Sequence, residues 1–131
     1  MTNFEIIGLY VALNILLAAV LMLRVGQARV KGKVSLGDGD DFTLLTRIRA
    51  HGNFTESVPL VLIGLIALAQ LGATAMVLHI FGGVYTVVRV AHAHGLAQEG
   101  GNGKGRVIGA LGTLLVLLGI ALVLLYKIFL A

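Results

Sequence analysis

The sequence contains no cysteine, a single proline and few charged residues, 12% in all. Without cysteine there is neither a disulfide framework nor a thiolate metal site, and the redox compartment stays open. The scarcity of charge, set against 58% hydrophobic residues over 131 positions, excludes an ordinary soluble domain. A mean hydropathy of +0.99 points the same way. The formal charge of +4 does not argue for nucleic acid, because the basic residues flank apolar runs and have no aromatic platform beside them. The opening Met1-Thr2-Asn3-Phe4-Glu5 lacks a positive region, and the apolar run after it is long enough to span. No cleavable signal is therefore expected.

What is present predicts an all-α, polytopic membrane four-helix bundle of up-down-up-down order, one domain over 1–131. The spans fall at about 6–24, 42–70, 75–95 and 106–130; the first is close to the ~20 residues that a bilayer core requires, while the second is longer, so its first turns are expected to project into the headgroup region. Asn14, the polar residue inside the first span, is expected to hydrogen-bond a neighbouring helix. A polar stretch with Arg24, Arg29, Lys31 and Lys33 follows, and Gly37-Asp38-Gly39-Asp40-Asp41 reads as a solvated turn. Asp41 or Thr43 caps the second helix, and Pro59 inside it predicts a kink. The short turn Leu71-Gly72-Ala73-Thr74 makes the second and third helices antiparallel neighbours, and a glycine-rich connection over 98–105 leads to the fourth. Gly105 with Gly109, and Gly8 with Ala12, are small-residue pairs that hint at close helix packing.

The basic residues set orientation. They gather at the first and third connections, with only Lys127 at the opposite surface. Positive connections stay inside, which predicts a cytoplasmic site and N- and C-termini outside. Arg24, Lys31 and Lys33 read as topology-setting or snorkelling residues, and Arg47 as meeting headgroups. His51 and His94 read as interfacial, His79 lies near the opposite surface, and His92 with His94 points to different helix faces, so no metal site is expected.

Two polar stripes remain on that cytoplasmic side. Arg49, Asn53 and Glu56 stand at i, i+4 and i+7, on one helix face, and Tyr85, Arg89 and His92 repeat the spacing on the third helix. Charges at such depth pair with one another and mark function. A simple arrangement pairs Glu56 with Arg49 or Arg89 and leaves the other guanidiniums to an anion, a task suited to arginine's planar fork.

The segment Arg49-Ala50-His51-Gly52-Asn53-Phe54-Thr55-Glu56 resembles the Arg-Ala-His-x-Asn-x-x-Glu signature of the MAPEG proteins, the membrane-associated proteins of eicosanoid and glutathione metabolism. Gly26-Gln27-Ala28-Arg29 is similar to the end of helix one in the microsomal prostaglandin E synthase branch, and Arg89-Val90-Ala91-His92 to its helix-three motif. Arg106 falls near that branch's basic residue at the start of helix four. The resemblance implies a homotrimer with glutathione, as co-substrate, held between neighbouring subunits. It assigns Arg29, Arg49, Asn53, Glu56, Arg89 and His92 to contacting glutathione or ordering the residues that do. Arg106 becomes the catalytic candidate, a cation that favours the thiolate. The chain departs from the prostaglandin and leukotriene branches at Leu96, where they carry a tyrosine, and its short first connection resembles small bacterial members.

The expectation is a bacterial inner-membrane, glutathione-dependent transferase or peroxidase acting on a small apolar electrophile or hydroperoxide, with membrane lipids and its own copies as partners, and no nucleic acid or metal. The alternative is a non-catalytic membrane module that binds lipid or a protein partner. A small ion or proton conduit ranks last, for want of a polar path across the outer half of the helices.

Overall fold

The computed structural model describes residues 1–98 and 101–130. Glu99 and Gly100, within the glycine-rich connection expected from the sequence, lie outside the described residues, as does Ala131. Four helices account for nearly all of the described chain: α1 (Asn3–Gly32), α2 (Phe42–Gln70), α3 (Ala75–Ala97) and α4 (Lys104–Phe129). All four are long and apolar enough to cross a membrane, and the chain is a multi-pass membrane protein.

α1 opens with a capping box: Thr2 Oγ1 accepts from the Glu5 amide at 3.3 Å, and the Thr2 amide donates to Glu5 Oε2 at 2.7 Å. The sequence placed the end of the span near Arg24, yet the helix runs on to Gly32. Hydropathy marks where a chain leaves hydrocarbon, not where its hydrogen-bond ladder stops. No proline interrupts the extension, and Arg29 and Lys31 in its last turn oppose the orphan carbonyls. Lys33, left-handed at φ 53°, closes it. At ~1.5 Å per residue α1 is about 45 Å long, so its last turns rise beyond a ~30 Å hydrocarbon core.

The first connection turns through Gly37, Gly39 and Asp40, all at positive φ. Asp41 Oδ1 then accepts from the Thr43 and Leu44 amides at 2.8 and 3.1 Å, which decides the cap of α2 in favour of the aspartate. α2 continues unbroken past Pro59. At its far end Asn3 Nδ2 donates to Ala73 O at 3.0 Å and Lys127 Nζ to Gly72 O at 3.3 Å. The start of α1 and the end of α4 therefore meet the α2–α3 turn, with the other two connections at the opposite end.

Two apolar clusters fill the bundle. One gathers Tyr10, Val61, Leu65, Leu78, Tyr85, Val116 and Ile120; the other, nearer the basic connections, holds Leu21, Ala50, Phe54, Ala93 and Leu96. Asn14 ties α1 to α3 by donating to Thr86 Oγ1 at 3.1 Å, as its lone polar position suggested. α3 and α4 approach closely because α4 presents glycine: a Cβ on Gly109 would lie 2.6 Å from Val88 O. Gly105 also faces α3, against Ala91. The other small-residue pair behaves differently. Gly8 and Ala12 are exposed, and Gly8 faces open space.

Candidate functional site

The fold brings the basic-connection ends of α2, α3 and α4 together around a cavity of about 290 Å³. α2 contributes Arg49 and Asn53, α3 contributes His92, and α4 contributes Arg106 near its first turn. Leu45 and Leu96 form apolar wall, while Phe42 and Gly101 line the side nearest the third connection. Arg106 Nη1 donates to Gly101 O at 3.2 Å and to Asn102 Oδ1 at 3.3 Å, so this arginine joins the connection to the cavity.

A second cavity of about 290 Å³ opens between α2 and α4. Asn53, Glu56, Ser57 and Thr113 form its polar part, and Leu60, Leu114 and Leu117 its aliphatic part. Asn53 borders both cavities. The α2 stripe is thereby divided, with the arginine on one side of the amide and the carboxylate on the other.

Behind Asn53 lies Arg89, only 1% exposed. Its Nη1 donates to Asn53 Oδ1 at 2.8 Å and to Thr113 Oγ1 at 3.3 Å, and its Nη2 lies 3.4 Å from His92 Nδ1. The guanidinium carbon stands 6.0 Å from the Phe54 ring centroid, within range of a favourable cation–π contact. The simple pairing of Arg89 with Glu56 does not form: among the described residues the carboxylate is not one of its hydrogen-bond partners. Glu56 is exposed on the α4 side of α2, whereas Arg89 meets α2 at Asn53, about one turn earlier.

Of the residues singled out from sequence, Arg49, Asn53, His92 and Arg106 share one cavity, Glu56 lies in the adjoining one, and Arg89 stands behind the wall between them. Arg29 is not brought in; its Nη1 donates to Gly37 O of its own connection at 2.9 Å. Tyr85 is fully buried, its hydroxyl 2.8 Å from Ser57 Oγ. Leu96, where a tyrosine was expected, puts no hydroxyl on the cavity wall. Sequence reasoning missed Thr113, although an isolated hydroxyl in so aliphatic a helix was a signal. Among the described residues no group of three or more His, Asp or Glu is set to hold a metal.

Chemically, the first cavity suits an anion, since guanidiniums donate hydrogen bonds and stay charged. The second suits an amphiphile, with one carboxylate beside leucine.

The family model described as the MAPEG family matches residues 7–126. The inner membrane protein YecN of Escherichia coli, in two strains, is 32% identical over 88 residues, which cover 67% of this chain and 67% of the relative. No solved structure matches the chain.

Proposed function

Because the chain belongs to the MAPEG family, we propose that it is a membrane transferase or peroxidase that activates glutathione thiolate against apolar electrophiles or hydroperoxides. The observation that carries this reading is the meeting of Arg49, Asn53, His92 and Arg106 at one cavity, with Glu56 next door. Glutathione bears two carboxylates, an ammonium and a thiol. The arginines suit the carboxylates, Glu56 suits the ammonium, and Arg106 is the cation that favours ionisation of the thiol. The aliphatic part of the second cavity suits an acceptor arriving from the bilayer.

In the transfer reaction the thiolate sulfur forms a bond to the electrophilic carbon, and the displaced group or opened ring takes the electron pair and a proton. In the peroxidase reaction the thiolate attacks the distal oxygen of the hydroperoxide. The O–O bond breaks, the alkoxide takes a proton, and the sulfenic acid condenses with a second glutathione to give disulfide and water.

A homotrimer belongs to this proposal. Arg49, Glu56 and Arg106 are exposed in the single chain, and a carboxylate at membrane depth needs cover from protein or ligand. The basic connections favour a cytoplasmic site in the inner membrane, with both termini outside.

The test is calorimetric titration of detergent-purified protein with glutathione and its S-hexyl derivative. Wild-type binding should vanish in Arg49→Ala protein that stays folded; undiminished binding would sink the assignment. Leu96 favours the second reading, a non-catalytic module for lipid or a protein partner, because it removes a hydroxyl from the site. A stable wild type that binds neither ligand would favour that module.

A further inference from the structure

The buried Arg89 does more than fill space between the cavities. A guanidinium can only donate, so the direction of each of its hydrogen bonds is settled by chemistry. Asn53 must turn its oxygen toward Arg89, at 2.8 Å, and its NH₂ away. His92 must accept at Nδ1, at 3.4 Å, which leaves its ring proton on Nε2. Thr113 gives its hydroxyl proton to Gly109 O at 2.8 Å, so the Oγ1 lone pairs are free to receive Arg89. The two hydrogens on Arg89 Nη1 thus have two acceptors, one on α2 and one on α4.

We propose that Thr113 and Arg89 are positioning residues of the thiol site, seating Asn53 and His92 so that each offers the ligand an N–H and not a lone pair. This rests on the glutathione reading above. Asn53 and His92 both line the first cavity with Arg49 and Arg106, so its side-chain nitrogens become hydrogen-bond donors throughout. Such a cavity selects acceptors, a carboxylate or a thiolate, and turns ammonium groups away toward Glu56.

The distinguishing variant is Asn53→Asp. It keeps a partner for Arg89, and a stronger one, yet replaces the donor facing the ligand with an oxygen. A merely structural role predicts that it is tolerated. The experiment uses the full chain in detergent, as wild type, Thr113→Val, Thr113→Ser and Asn53→Asp. Glutathione affinity is measured by calorimetry, and the His92 ring tautomer by NMR of nitrogen-labelled histidine, assigned with His92→Gln.

Thr113→Val should lose about tenfold in affinity and shift the His92 tautomer, while Thr113→Ser stays within about twofold of wild type. Asn53→Asp should lose roughly a hundredfold or more while remaining folded. Wild-type affinity in Asn53→Asp, or an Nδ1-protonated His92 in the wild type, would overturn the proposal. If Thr113→Val fails to fold, Asn53→Asp and the wild-type tautomer decide alone. Absence of glutathione binding by a wild type with the Nε2–H tautomer would overturn the proposed function and support the positioning geometry.

Discussion

Substituting Gly109 by alanine adds one methyl group at the seam of α3 and α4, and the consequences follow from distances. The new Cβ would lie 2.6 Å from Val88 O and 2.7 Å from His92 Cα, both backbone atoms of a packed helix that cannot swing aside. The helices must part by roughly 0.5–1 Å, a gap that forfeits about a quarter to a half of the dispersion well of each contact along the seam. Overpacking of this kind costs about 1–3 kcal/mol. Alanine's better helix propensity returns up to about 1 kcal/mol at either glycine, so Gly109→Ala should fall about 1–3 kcal/mol below a matched substitution at an open position. Gly8→Ala is the matched control, since Gly8 faces open space; it should be neutral or slightly stabilising. Thermal unfolding in detergent, followed by far-ultraviolet circular dichroism, compares the two, a helical signal being the natural probe for a chain without tryptophan. Gly109 also lies between Arg106 and Thr113, so its substitution should weaken glutathione binding as well. A Gly109→Ala protein as stable as the Gly8→Ala control would refute the close-approach reasoning.

Other expectations concern the site and the topology. Glu56→Gln should weaken glutathione binding about tenfold or more, yet leave a glutathione analogue without the amino group unaffected; equal losses for both ligands would separate Glu56 from the ammonium. Leu96→Tyr restores a hydroxyl to the cavity wall and should increase the thiolate absorbance of bound glutathione at fixed pH; an unchanged spectrum would show that the hydroxyl does not reach the sulfur. The cysteine-free background permits single thiols at Ser35 and Thr74. A membrane-impermeant maleimide added to intact cells should label Thr74→Cys and spare Ser35→Cys, and the reverse pattern would invert the orientation.

The helices were legible because their causes are local. A run of apolar residues near bilayer length names a span wherever it sits, and Asp41 and Gly72 begin or end helices through chemistry within a few residues of themselves. Even here local signals had limits: composition placed the end of the first span near Arg24, while the ladder carried α1 to Gly32. Nor could two equivalent small-residue pairs be told apart, although Gly105 and Gly109 pack on α3, whereas a Cβ on Gly8 would meet nothing within 4 Å among the described residues.

By itself the sequence determined the four-helix membrane class, the side on which positive charge gathers, and the two polar stripes, because side-chain direction along a helix follows spacing alone. Only the tertiary structure decided which stripe residues meet. It put Arg49, Asn53, His92 and Arg106 on one cavity, moved Glu56 to the next, kept Arg29 with Gly37, and gave Arg89 to Asn53 and Thr113. Those choices depend on the axial register and rotation of one helix against another, set by packing such as Gly109 against Val88 and spread over residues far apart in the chain.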